Sequence, residues 1–519
     1  MITPIQMITK LFRSYRQKFR AALKALPDSA GLTQQGREEE EKGVDGIEKT
    51  MTSAFLLTEL EEHELDLTSK LPDDVVIHLL SFLNLKEAIR TSVLSGRWRD
   101  LWKSANLALD FEAEKELLDI YNGWIIFDDH AMVKYRMWYK NAVNGVVRQL
   151  QQHNRATKHT KFRVGFTLTN PSNYDGDIDR WVEYAISKRV ECLDLTFYVR
   201  CKGDTRKLYV FSEACYNHIK TPDGLSDVKS LRSLRLNCVA VRTDILEHFI
   251  SSCPLLEELA VARASNSLKK LRVVGSSQSP LRLKYLELRY LDYLKSLEID
   301  HTPCLVRLIY DECLRMEELR VGNCPGLVDL NLGLHSRYNF AFEAFSGCAS
   351  QLKSLLLKTN SILGKLLSHV AEHPHLERLM IQVNGGGNRS LVELIPLVNA
   401  CPRLHTLQVF LHTSRCAFEF CDQDVVHTKM TRESIKVVEI VGFRGYEMDC
   451  QLVEYIMEYF VGLKRIVIDR AIETPFFYDE WLFGGKKIKA CTQADADDAE
   501  KLALGFKSRA PPALEFIVI

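Results

Sequence analysis

Leu283-Lys-Tyr-Leu-Glu-Leu288 and Leu294-Lys-Ser-Leu-Glu-Ile299 share one pattern: an apolar residue, two others, an apolar residue, one other and an apolar residue. It recurs at Val190–Leu195, Leu231–Leu236, Leu256–Val261, Met316–Val321, Leu327–Leu332, Leu352–Leu357, Leu376–Ile381, Leu404–Val409 and Leu463–Ile468. The last two apolar positions alternate as in a half-buried strand, and the first fills the turn below it. A unit this short cannot bury its own apolar side. Copies therefore stack into a solenoid, an α/β array with a parallel sheet over a leucine core.

Spacing between copies tells what returns the chain from one strand to the next. Around residues 352–409 successive starts lie about two dozen or more residues apart, which leaves room for a helix. Ser361–Val370 reads as such a return helix, and Ser390 and Thr243 read as caps of similar ones. From Leu283 through Leu294, Leu305, Met316 and Leu327 the period falls to eleven, too short for a helix. There the spacing predicts strands on both faces of a flattened solenoid, two per turn. Cys-Pro precedes a copy at Cys253, Cys324 and Cys401, and His373-Pro374 precedes another. Proline ends the return segment while cysteine packs as a small apolar residue. These cysteines follow the repeat and not a coordination shell, which argues against a metal or nucleophile role.

The chain of 519 residues is 46% hydrophobic, enough for a large core, and Lys+Arg and Asp+Glu each total 68. No global field draws it to nucleic acid or to an anionic membrane, so any binding is local. No run of about 18 apolar residues offers a membrane span. The 14 cysteines include no CxxC pair, which suits reduced thiols in a reducing compartment. No catalytic signature stands out, and Gly385-Gly-Gly387 lacks the lysine and helix of a phosphate cradle. No catalytic, cofactor or metal residue is assigned. Residues 1–68 read as a disordered or weakly ordered leader containing the acidic run Glu38–Glu41. Its first part holds Lys10, Arg13, Arg16, Lys18, Arg20 and Lys24 with no acid before Asp28, a pattern compatible also with a transit peptide or a basic amphipathic helix.

Leu71-Pro-Asp-Asp-Val-Val-Ile-His-Leu-Leu-Ser-Phe-Leu83 opens with a proline suited to a first helical position, then two acids that complement the helix N-terminus. Val75, Val76, Leu79, Leu80 and Leu83 form one apolar stripe at helical spacing. Asn84 with Glu87 can cap a second helix, and Ser95 a third carrying Arg97, Trp98, Leu101 and Trp102. Three helices in so short a span make too small a core to stand alone, and such a unit usually has a partner. Leu71-Pro72-Asp73-Asp74, the run ending at Leu83 and Thr91-Ser-Val-Leu-Ser-Gly-Arg-Trp-Arg-Asp-Leu-Trp102 resemble the F-box of plant F-box proteins. The resemblance implies an apolar face packed on a Skp-type adaptor, itself seated on a cullin. By position, Leu71, Pro72, Leu79, Leu80, Leu83, Val93, Leu94 and Trp98 would supply that contact and its supporting core. Asn84 stands where the family commonly has proline, and Gly96 where it commonly has a basic residue.

The C-terminal part, Ser434–Gly445, a helix with Leu452, Ile456 and Phe460 on one face, Gly462 and Leu463–Ile468, resembles the FBD region that ends many plant F-box/leucine-rich repeat proteins. A helix near Ala494–Lys507 and a final strand Leu514–Ile519 are similar too, and Trp181–Leu195 resembles the family's first repeat. The organisation expected is a leader (1–68), a three-helix F-box (69–104), a helical linker (105–160), a leucine-rich repeat solenoid with parallel strands and return helices (161–430) and an FBD-like region (431–519). Such a protein is expected to recruit an unknown target for ubiquitination, in the nucleus or cytoplasm, without nucleic acid or membrane. A non-ligase interaction scaffold and a small-molecule sensor are the alternatives. Target contacts are expected on the exposed positions between strand leucines and on the loop His412–Arg432.

Overall fold

A computed structural model describes residues 71–112, 129–153, 159–168, 175–199, 208–220, 228–264, 267–276, 280–311, 315–334, 344–359, 372–384, 395–412, 431–470 and 493–519. The chain divides into two compact units, one holding Met1–Asp110 and Arg148–Thr160, the other Phe111–Val147 and Lys161–Ile519. The segments Ser361–Val370, Ser390 and Gly385–Gly387 lie outside the described residues.

The first unit carries helices α1 (Asp73–Leu80), α2 (Leu85–Arg90) and α3 (Trp98–Leu101), with 3-10 turns at Thr91–Val93 and Trp102–Ser104. Asn84 caps α2 by accepting from the Glu87 amide at 2.9 Å, and the Glu87 carboxylate answers to the Asn84 amide at 3.2 Å. This is the reciprocal capping box expected from the two residues. Pro72 sits one position earlier than expected, at the N-cap of α1, where its carbonyl takes the Val75 and Val76 amides. Arg97 ties α3 to the start of α1: its Nε donates to Asp73 at 2.8 Å and its Nη2 to the Leu71 carbonyl. The Ser95 hydroxyl accepts from the Trp98 amide at 3.4 Å.

In the second unit a parallel sheet runs, strand by strand, through Lys161–Leu168, Cys192–Val199, Ser233–Asn237, Glu258–Ala262, Tyr285–Arg289, Arg307–Asp311 and Asp329–Leu334, then Ser354–Thr359, Arg378–Asn384, Thr406–His412, Val437–Val441, Arg465–Asp469 and Glu515–Val518. Repeat position is kept throughout, so that Leu308, Leu330, Leu355, Leu379 and Leu407 are register partners and all buried. Neighbouring leucines thus fall into rows along the solenoid, each burying the side chain of the next. Every cysteine of the Cys-Pro phrase is buried, as expected of a small apolar residue. Burial also pushes the thiols of Cys253 and Cys401 up to about 12, which keeps them protonated and poorly nucleophilic.

The stretch with period eleven folds as the spacing predicts. Lys270–Val274, Ser296–Asp300 and Glu318–Val321 form a second parallel sheet, and they alternate along the chain with main-sheet strands. Among the described returns, α-helices occur at Thr243–Ser252 and Glu447–Tyr459. Thr243 is the first helical residue and not the cap. Arg242 occupies the cap position, and the Thr243 hydroxyl donates to the Lys270 carbonyl at 2.9 Å. The hydroxyl thus ties the helix start to the neighbouring repeat instead of capping it.

Two positions in the last repeats yield measurable consequences. Gly442 has a φ of 85° and a Cβ there would stand 2.3 Å from the Leu411 carbonyl oxygen. Gly442→Ala is expected to cost about 3 kcal/mol, from left-handed strain plus a backbone clash that no side-chain rotation relieves. A denaturant midpoint equal to that of the unmodified chain would refute this. Asp449, fully buried, accepts from the amides of Arg444 at 3.0 Å and Tyr446 at 3.2 Å. Burial nevertheless pushes its carboxyl up to about 6. With the folded value raised above the unfolded one, this group's stabilisation is complete below about pH 4 and lost as pH rises through about 6. Asp449→Asn keeps an acceptor that does not ionise, so its melting temperature should vary less with pH across that window. Parallel curves for the two proteins would show that Asp449 does not titrate there.

Candidate interaction surfaces

The three-helix unit separates its apolar residues into two sets. Val76, Leu79, Leu80, Leu85, Ala88, Trp98 and Leu101 are buried. Val75, Phe82 and Val93 are exposed by 41%, 64% and 50%, and Pro72 is exposed beside them in sequence. Leu71, Leu83 and Leu94 lie between these extremes. Helical spacing explains the division: Val76 and Leu80 share one side of α1, while Val75, His78 and, two residues past the helix end, Phe82 follow another. The Phe82 ring meets the His78 ring edge-on at 5.0 Å, and its amide donates to the Leu79 carbonyl at 3.3 Å. That bond continues the helical turn and holds the aromatic ring outward.

Among the residues singled out from sequence, Leu79, Leu80 and Trp98 are placed in the interior, and Pro72 and Val93 on the surface. Leu71, Leu83 and Leu94 present part of their side chains. Val75 was assigned to the inward stripe and lies outside it, and Phe82 was singled out by no pattern. Val75 keeps helical spacing with Leu79, so only the packing of the three helices sets it apart, and nothing in the local pattern marks Phe82.

On the solenoid, positions between the strand leucines were expected to be exposed, yet Glu287, Ile309, Asn331 and Leu356 are buried. Glu287 lies beside Ala260 and Ile309 in the register, accepts from the Tyr285 hydroxyl at 2.5 Å and pairs with Arg289 at 2.6 Å. The sheet face is thus crowded along its rows, and exposed charge is found instead on the residue just before several strands, as at Arg232, Lys284, Lys353, Glu377 and Lys464. Residues 413–430 of the expected contact loop lie outside the described residues.

Comparison with known proteins places this architecture. The family model described as "At1g61320/AtMIF1, LRR domain" matches residues 150–503, and the F-box domain model matches residues 68–109. The chain belongs to the plant F-box/leucine-rich repeat family. Among its relatives in Arabidopsis thaliana, F-box protein At3g59000 is 25% identical over 78% of this chain and 86% of its own length. F-box/LRR-repeat protein At3g58940 is 26% identical over 78% of this chain and 65% of its own length. An F-box/FBD/LRR-repeat protein of the same plant is 24% identical over 82% of this chain and 98% of its own length, in keeping with an FBD-like C-terminal region. Among the described residues no helix is long and apolar enough to cross a membrane, and no cluster of side chains could hold a metal ion.

Proposed function

We propose that the chain is the target-recognition subunit of a cullin-type ubiquitin ligase: its F-box docks on a Skp-type adaptor, and its repeats hold the protein to be modified. The observation that carries this reading is the exposure of three apolar side chains, Val75, Phe82 and Val93, on the segment that matches the F-box model. Exposed aromatic and aliphatic side chains on a rigid helical support are the usual anchors of a protein interface. Leu71, Pro72, Leu83, Val93 and Leu94 would meet the adaptor, while Leu79, Leu80 and Trp98 fill the core that holds them in place. Ubiquitin transfer belongs to other subunits. This chain contributes proximity, since a tethered target meets the charged enzyme at high effective concentration. The free cysteines among the described residues favour a reducing compartment, the nucleus or cytoplasm, as the place of action.

Mixing the full chain with excess adaptor is expected to give one co-eluting complex on size exclusion. Replacing Leu71, Pro72 and Leu83 together by serine should abolish it while leaving the circular dichroism of the repeats unchanged. Separate elution of the unmodified chain and the adaptor would end the ligase reading.

A further inference from the structure

The residue just before each strand of the main sheet forms a continuous rim, because its amide donates to the carbonyl of the equivalent residue one repeat earlier. Early in the solenoid this rim is neutralised. Arg232 pairs with Glu191 at 3.7 Å and with Glu257 at 2.8 Å, and Lys284 pairs with Glu257 at 2.7 Å. The rim then passes through two valines, exposed Val306 and half-buried Val328, before reaching Lys353. From there it continues through Glu377 and His405 to Lys436 and Lys464, with Arg378 alongside on the next position. Lys353, Arg378 and Lys464 are exposed and Lys436 is half-exposed. Among the described residues none of these four cations makes an ion pair, and the Lys436 ammonium group donates to the Glu433 carbonyl.

We infer that this rim, from Val306 to Lys464, is a docking site for an extended acidic segment of the target protein, with an apolar residue at its Val306 end. Charge complementarity identifies the occupant, because one stretch of the rim leaves cations without carboxylate partners while the same positions earlier are fully paired. Strands lie about 4.8 Å apart and an extended chain rises about 3.3 Å per residue, so the stretch from Lys353 to Lys464 spans about six residues of such a segment. A polyphosphate fits less well, since the valines offer a phosphate nothing, whereas an apolar residue of a peptide can pack on them. The inference rests on the reading of the repeats as the target-holding part of the molecule.

The test uses the full chain and a labelled peptide of two leucines followed by about six acidic residues, read by fluorescence anisotropy. Binding is expected at low salt and should weaken as ionic strength rises through about 0.3 M. Lys353→Glu combined with Lys464→Glu should reduce affinity at least about tenfold, while Lys284→Ala in the neutralised stretch leaves it unchanged. Absence of binding, or equal binding by the double variant, would overturn the proposal. So would tighter binding of duplex DNA through the same lysines. Replacing Glu38, Glu39, Glu40 and Glu41 by glutamine in the full chain should leave affinity unchanged; a severalfold gain would make the chain's own leader the occupant and overturn it as well. Size exclusion with the adaptor is run on the same double variant. Adaptor binding without peptide binding sinks this inference alone, whereas loss of adaptor binding by the unmodified chain sinks the ligase reading.

Discussion

Phe82→Asp combined with Val93→Asp is expected to lower adaptor affinity at least about a hundredfold while the chain stays folded, because interface energy concentrates in a few buried aromatic and aliphatic anchors. Phe82 and Val93 are exposed by 64% and 50%, so neither supports the interior of the three-helix unit. Two carboxylates placed on an apolar contact would have to be desolvated on docking, a cost that exceeds the loss of the contact itself. Trp98→Ala makes the contrast. That ring is 3% exposed, and its removal should unfold the unit and abolish docking indirectly. Calorimetric titration of adaptor into each variant, with helicity measured alongside, separates the two. If the Phe82 and Val93 double variant bound as tightly as the unmodified chain, the adaptor would have to grip another face.

Trp181→Ala should have the largest effect on the repeats, a loss of about 4 kcal/mol in the repeats nearest to it. The indole is fully buried on helix Asp175–Ser187, its Nε1 donates to the Asn144 side chain at 2.8 Å, and its ring meets Phe166 edge-on with centroids 6.3 Å apart. Truncation leaves a cavity, and it also strips Asn144 of a donor while the amide still serves Asp177 at 3.0 Å. Trp181→Phe keeps most of the volume and loses the hydrogen bond, so about 1 kcal/mol is expected. A stacked array responds locally, since each repeat touches only its neighbours. Hydrogen exchange should therefore accelerate in strands Lys161–Leu168 and Cys192–Val199 and stay slow in Arg465–Asp469. Uniform acceleration along the whole sheet would show instead that the array melts as one unit.

The cationic rim bears on how such a receptor selects its target. Individual exposed ion pairs contribute little, typically well under 1 kcal/mol each. A row of them at strand spacing acts together on an extended ligand, and sets register and on-rate more than affinity. The buried middle of the sheet face, where Glu287 and Arg289 form an ion pair, suits this arrangement because it leaves recognition to the edge.

Composition and periodicity alone determined the parallel sheet, its leucine rows and even the change to two strands per turn where the period drops to eleven. They could do so because a repeat's core contacts are with its own copy one turn away, so the local pattern and the tertiary contact are the same information. The capping box at Asn84 and Glu87 was legible for a similar reason, both partners lying within one turn. Only the tertiary structure decided which apolar residues face outward. Val75 and Val76 are equally apolar neighbours, and the packing of α1 and α3 buries one and exposes the other. Thr243 is the first helical residue and not the cap, and its hydroxyl donates to a carbonyl 27 residues distant. The rim's charge balance depends on which strands end up adjacent, and the burial of Glu287 on its cross-strand neighbours. Each of these is a relation between residues far apart in the chain, which no window along the sequence can contain.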